Sequence, residues 1–508
     1  MRHCKSATSP TAMRRRLQLI CIVLMPALAR AGRALELDDH SSSRPCAQPQ
    51  QARKTIEWTG LTLVGGTANW TYPRDGAYPS GGRAICMGSF RNFRSQPQHM
   101  FGAGFNDSWV VSSDGGHSWA TQPGPVVPTS PVDQRRGVCL GTASSTCWFS
   151  VGGYLPDDGT GTLSTVGGVT PIPTVAPGCS QPPGSHQCNS GWTLTGRRTF
   201  TLNNNGSLEL LGDGLAAKPV TFSGVPYPGL SWTGYGTGNR QFGGVRMGDG
   251  RWVMLSAVLW DGLPKLSHPP FSVLAFVSDD SWAWRYSSVV ANWSALTSNP
   301  VDAGPNECDM ELLSDNKTLI SVVRMDGDGD CDGDGDVGGG YKYYYAMYST
   351  DNAATWSKPR PIEGAGCVRP RLKRLPSGPL LLSGGRLCIE KNLTGLENGP
   401  FVWLNADGMG GLNGGDDREN WVRHSLAEQH NKLWKGEERF LFDPTNDSPW
   451  QSLAYTVVLA TGPASFAVTY NVYVGAQKGH SPGSSRNNVS ATFMLHGRVV
   501  PQVSGACA

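Results

Sequence analysis

Three arginines, one glutamate and one tyrosine stand at or near the ends of strand-like runs, and their types suit one kind of chemistry. Arg74 falls in Tyr72-Pro73-Arg74, Arg324 closes Leu319-Ile-Ser-Val-Val-Arg324, and Arg386 closes Leu380-Leu-Leu-Ser-Gly-Gly-Arg386. A guanidinium at the end of an apolar strand needs a carboxylate partner or an anionic ligand, because burying it unpaired is costly. Its planar fork suits two-point binding of a carboxylate. Glu307, in Gly304-Pro305-Asn306-Glu307-Cys308, precedes Arg324 by seventeen residues, and Tyr455 lies in Ser452-Leu453-Ala454-Tyr455-Thr456. A phenol with a pKa of about 10 is a weak nucleophile at neutral pH. A carboxylate beside it that takes the proton makes it competent. Each residue also has an ordinary reading: a packed strand aromatic, a turn glutamate, a structural ion pair.

The elements that would position these groups are read from a repeated eight-residue frame. A small polar residue is followed by Asp two positions on and Trp five after the Asp. Ser112 to Trp119 has it in full around Asp114, and Ser349 to Trp356 has it around Asp351 with Ala in place of Gly. Val277 to Trp284 keeps the Asp, taken as Asp279, and the Trp. A degenerate fourth copy, Asn405-Ala406-Asp407-Gly408, is stretched away from its Trp421. Asp and Ser side chains accept from turn amides, Gly supplies positive φ, and Trp covers the loop, so the frame reads as a hairpin turn. Its recurrence at long separations points to an array of similar sheets, hence a β-propeller.

Composition agrees. Gly 65, Pro 36 and Trp 17, with charged residues at only 16%, favour many short strands over helices. Strands are expected at 83–90, 109–112, 252–259, 272–277, 319–324, 341–348, 380–384, 401–404, 454–459 and 466–474. Three irregular stretches read as insertions, at about 121–190, 326–340 and 405–420. The second contains alternating Asp and Gly from Asp326 to Asp336 but fails the calcium-loop frame, and it reads as a solvated acidic hairpin tip.

The amino terminus reads as a secretory signal. Arg14-Arg15-Arg16 precedes an apolar run from Leu17 to Leu28 and an Ala29-Arg30-Ala31 cleavage site. The expected organisation is signal peptide 1–31, flexible segment 32–52, a strand-rich domain 53–500 and a tail 501–508. Loss of residues 1–31 removes six basic residues and no acidic one, taking the net charge from +3 to −3. No basic stripe argues for nucleic acid. No later run is apolar enough to span a membrane, and nothing calls for a cofactor or a metal. Eleven of the 13 cysteines remain after the signal. Cys139/Cys147 and Cys179/Cys188 are close enough in sequence to form loops, and eight N-x-S/T sequons fit an exported, glycosylated surface.

The order of these features resembles the exo-sialidase family over roughly residues 58–475. Arginine, box, Asn-Glu-Cys, arginine, box, Gly-Cys, arginine and Ala-Tyr-Thr follow one another as in that family. The strongest match is Asn306-Glu307-x-x-x-Glu311-Leu312-Leu313 followed by the strand ending in Arg324. The resemblance implies an all-β, six-bladed propeller of four-stranded antiparallel sheets. It implies a secreted glycoside hydrolase that releases terminal sialic acid or a related acidic sugar such as KDN from a sialoglycoconjugate. Arg74, Arg324 and Arg386 would hold the sugar carboxylate, Tyr455 would be the nucleophile and Glu307 its base. The family's acid/base falls in the loop 91–107, where Asp107 is the sole carboxylate, later in the loop than in the family and inside a sequon. His99 is the substitute in that loop, and Asp75 reads as a partner of Arg74. Two other readings remain open on the same residues: a carbohydrate-binding propeller without turnover, and a structural propeller in which the boxes only close hairpins.

Overall fold

The computed structural model describes residues 54–66, 90–92, 97–103, 108–123, 244–260, 271–280, 282–292, 304–326, 343–366, 368–385, 396–397, 399–446, 451–452, 455–474 and 489–502, with short strand pieces between 138 and 231. These residues form six sheets of four or more strands, taken in chain order as blades one to six of a β-propeller. In blade four the strands run in sequence order, Gly304–Leu312, Leu319–Asp326, Tyr344–Ser349 and Arg360–Ile362. Blade five repeats this with Val368–Arg374, Leu380–Gly385, Pro400–Asn405 and Val422–Ser425. Blade six takes Val457–Ala460, Ser465–Val474 and Val489–Pro501, and its fourth strand is the amino-terminal Lys54–Gly66. Lys54 pairs with Pro501 and Gly66 with Ala491, so both ends of the described chain are held in one ladder. Chain ends fray unless tied in this way.

The blades meet through apolar faces, as alternating side chains on each pleated strand require. Val253 and Val273 of blade three pack with Met310 and Leu319 of blade four. Ile320 and Tyr344 of blade four pack with Leu382 and Trp403 of blade five, and Leu381 and Val402 of blade five with Val468 and Phe493 of blade six. Met100 and Val110 of blade one meet Val457 and Met494 of blade six. Blades four, five and six therefore each pack apolar side chains against a neighbour on both faces, and their first strands lie side by side.

Several sequence expectations are corrected. The third sheet has eight strands, and Val220–Ser223 joins it parallel to Ala283–Asn292, so it is not a four-stranded antiparallel blade. The stretch 121–190 is not simply an irregular insertion: it contributes Tyr154–Leu155 and Thr162–Thr165 to blade two and Val169–Pro171 to blade three. Tyr455 lies outside a strand, two residues ahead of Val457–Ala460. In the third box the turn is organised by Asp280 rather than Asp279. Asp280 takes Ser278 Oγ and the amides of Trp282 and Ala283, whereas Asp279 pairs with Arg285 on the surface. Residues 405–420 connect the third and fourth strands of blade five, ending in the short helix Asp417–Asn420 and pinned by Arg360 to Gly411 and Asp417. The expected strand 83–90 lies outside the described residues save Phe90, as do 327–342, the segment 32–52, and Cys147, Cys179 and Cys188. No helix among the described residues is long and apolar enough to cross a membrane.

Candidate active site

Glu307 is the hub, and the local backbone explains its aim. The ladder between the first two strands of blade four matches Pro305 with Met325 and then Cys308 with Val323. Asn306 and Glu307 therefore face the single residue Arg324, a bulge of the kind that re-aims side chains at functional positions. One Glu307 oxygen, Oε2, accepts from Arg324 Nη1 at 2.9 Å and from the backbone N–H of Arg369 at 2.9 Å. The other, Oε1, accepts from Tyr455 Oη at 2.9 Å. Glu307 is 1% exposed and the Arg324 side chain 12%. The carboxylate thus joins three consecutive blades: its own, the first strand of blade five, and the segment leading into blade six.

Tyr455 is held from behind. Thr456 Oγ1 and Ser383 Oγ of blade five, both buried, share a hydrogen bond of 2.7 Å. Tyr344 Oη of blade four donates to the Val368 carbonyl beside Arg369, a second fastening of blades four and five at this rim. Fixed partners of this kind pre-organise a site, because the reacting groups need not be collected at the moment of use.

The electrostatics follow from these contacts. A buried carboxylate is retained in its charged form when cations and N–H donors surround it. Around Glu307 the cationic donor is Arg324 and the N–H donor is the Arg369 amide, and the hydrogen bond from Tyr455 points the phenol proton at its acceptor. Next along the chain, Cys308 is a free, buried thiol whose pKa is pushed up by burial. That leaves it protonated and unreactive. Asp309, two residues beyond Glu307, is also raised by burial, against the opposing pull of Arg371.

Of the residues expected from sequence, the structure brings together Glu307, Arg324 and Tyr455. Arg74, Arg386, Asp107 and Asp75 lie outside the described residues. His99 is half-buried ahead of Met100–Ala103, and no described contact joins it to Glu307 or Tyr455. Arg369 was missed, since it reaches Glu307 through its backbone N–H, which no side-chain pattern signals. The one available sign was position: Gly366-Cys367-Val368-Arg369 opens the strand that follows the second intact box. Among the described residues no group of three His, Cys, Asp or Glu side chains is placed to hold a metal.

No family model and no curated protein matches the sequence. Among solved structures, a protein of unknown function from Dyadobacter fermentans is similar at a TM-score of 0.46 and 13% identity, over 86% of this chain and 98% of that one. An α-L-arabinofuranosidase from Fusarium graminearum gives 0.35 and 14%, over 82% and 98%. A Trypanosoma rangeli sialidase mutant displaying trans-sialidase activity gives 0.38 and 11%, over 87% of this chain and 58% of that one. At these scores none of the three bears on what the chain does.

Proposed function

We propose that this protein is an exported exo-α-sialidase-type glycoside hydrolase, acting by a retaining mechanism on a terminal sialic acid or a related acidic sugar. The single observation that supports this most is the Tyr455–Glu307–Arg324 chain of hydrogen bonds. Glycoside hydrolases ordinarily use two carboxylates, and a tyrosine nucleophile belongs to sialidases. The reason is charge: the anomeric carbon of a sialic acid carries a carboxylate, which repels an attacking anion. A phenol whose proton passes to Glu307 attacks without bringing a full negative charge.

In this reading Arg324, with Arg74 and Arg386, holds the sugar carboxylate. Arg324 also holds Glu307 in place through their 2.9 Å ion pair. Tyr455 attacks the anomeric carbon while Asp107 protonates the departing oxygen. Water then reverses the step, with Asp107 as base.

A second reading is a propeller that binds the acidic sugar without turning it over. It is favoured by the loop 91–107, whose only carboxylate is Asp107, within the sequon Asn106-Asp107-Ser108. The test is release of 4-methylumbelliferone from its α-sialoside by purified protein, with Tyr455→Phe alongside. Turnover abolished by the substitution is the expected result. Turnover that survives it removes Tyr455 from the mechanism, and saturable binding without turnover selects the second reading.

A further inference from the structure

Glu307 begins an acidic alternation, Glu307, Asp309, Glu311, on the first strand of blade four. It faces a basic alternation, Arg369, Arg371, Lys373, on the first strand of blade five. One edge of that second strand pairs with Leu380–Gly385, and carboxylates receive N–H groups from its other edge. Glu307 takes the amide of Arg369 at 2.9 Å, Asp309 that of Leu372 at 2.9 Å, and Glu311 that of Arg374 at 3.2 Å. Side-chain oxygens here do what a neighbouring strand's carbonyls would do. The middle pair is deepest: Asp309 and Arg371 side chains are each 7% exposed, 3.7 Å apart, and Asp309 Oδ1 also accepts from the Met310 amide at 2.9 Å. Lys373 lies 3.8 Å from Glu311 with 38% of its side chain exposed.

This seam has a consequence for the site. Tyr455 is referred to blade five through Thr456 and Ser383, and Glu307 is referred to blade five through Arg369. The distance from Glu307 to Tyr455 is therefore set by how closely blade four is clamped to blade five. We propose that Asp309, held by Arg371, is a positioning residue that sets the Glu307–Tyr455 contact; this rests on the reading of Glu307 as the base for Tyr455. Asp309 suits the task because its acceptors are used from two directions on two strands. An amide in its place has one oxygen for two N–H donors and turns an NH2 group against the other.

The experiment compares Asp309→Asn, Arg371→Met, Arg371→Lys and the double variant Asp309→Asn/Arg371→Met, each in the wild-type and Glu307→Gln backgrounds. The double variant leaves no unpaired buried charge, so it is the one expected to keep its fold; thermal unfolding is read first. The readout independent of turnover is the ionisation of Tyr455, taken as the phenolate absorbance difference between each protein and its Tyr455→Phe counterpart. In the double variant the Tyr455 titration is expected to move by more than about half a pH unit. On the aryl sialoside kcat is expected to fall about 10- to 100-fold with KM within about twofold. Arg371→Lys should lie nearer wild type than Arg371→Met. With Glu307→Gln present, changing Asp309 should add nothing. A folded double variant with the wild-type Tyr455 titration overturns the proposal, as does an equal displacement in the Glu307→Gln background. Absence of turnover in the wild type, with the Tyr455 titration still moved by Asp309 only through Glu307, removes the hydrolase reading and leaves the positioning role standing.

Discussion

Two kinds of carboxylate site occur in this molecule, the rim around Glu307 and the box corners, and their partners come from different distances. Asp351 takes Thr355 N and Ser349 Oγ on Oδ1, at 2.9 and 2.8 Å, and Thr355 Oγ1 on Oδ2 at 2.6 Å, all within four residues. Asp114 repeats this with Ser118 and Ser112. Its partial burial, which raises the pKa, is outweighed by those bonds, and the pKa is held down to about 2. The three described donors to Glu307 instead come from positions 17, 62 and 148 residues away. The carboxylate of a corner is satisfied within its own turn, whereas that of the rim draws on three blades. Damage at the rim should therefore cost chemistry, and damage at a corner should cost stability.

The largest effect expected is at the rim. Glu307→Gln should lower sialoside turnover by about 10²- to 10⁴-fold, the usual worth of a positioned base. Tyr455→Phe should abolish turnover with a small change in thermal midpoint, since the ring stays; steady-state kinetics beside thermal unfolding checks both.

At the corner of blade one, Gly116→Ala should destabilise by about 3 kcal/mol. Gly116 has φ +92°, and a Cβ there would collide with Met494 Sδ of blade six. In the corner of blade four Ala353 occupies the matching place at φ +66°, fully buried. Its carbonyl accepts from Ser287 and Ser288 of blade three at 2.8 and 2.6 Å. Ala353→Gly relieves a left-handed alanine of about 1 kcal/mol and loses a buried methyl of about 0.8 kcal/mol, so its unfolding midpoint should hardly move. A large loss there would show that the two corners are not equivalent.

The same blade-one corner carries a pH dependence. His496 of blade six is 3% exposed, stacks on His117 at 4.0 Å and shares a 3.2 Å hydrogen bond with Thr62. Burial, then the neighbouring His117, pushes its pKa from 6.5 to about 4, while Asp114 and the Gly116 backbone pull the other way. Between these values the unfolded chain binds a proton that the folded one refuses. Stability therefore falls as pH drops from about 6.5 to 4, by about 3 kcal/mol in full, and levels off below. His496→Gln should flatten that part of the denaturation profile. Asp351→Ala should cost about 1–2 kcal/mol for three bonds at an exposed turn, read by thermal unfolding, with kcat unchanged.

The same distinction explains what could be read in advance. The intact corners were legible because their frame is contained in eight residues, and the hydroxyl, carboxylate and positive-φ positions each leave a mark in the sequence. The third was misread by one place because Asp279 and Asp280 are adjacent, and which one faces the turn depends on strand register. Glu307 and Arg324 were matched through the Asn-Glu-x-x-x-Glu-Leu-Leu frame and the strand ending in Arg, and their contact follows from the register of those two strands, at the end of the hairpin away from its turn. Tyr455 was picked out by resemblance, and its contact depends on two inter-blade fastenings, Tyr344 to Val368 and Ser383 to Thr456. The acidic and basic alternations on the facing strands were visible as letters, but their meeting depends on which strands lie side by side.

The sequence by itself therefore determined most of the strands and the turn chemistry of the intact corners, because each of these is written over a few neighbouring positions. Tertiary structure alone decided that Glu307 reaches Tyr455, that an Arg369 amide also donates to it, and that Asp309 and Arg371 meet across the seam beneath it. Contacts between blades are chosen by packing of whole sheets, a sum of many weak burial terms that no single short stretch of chain records.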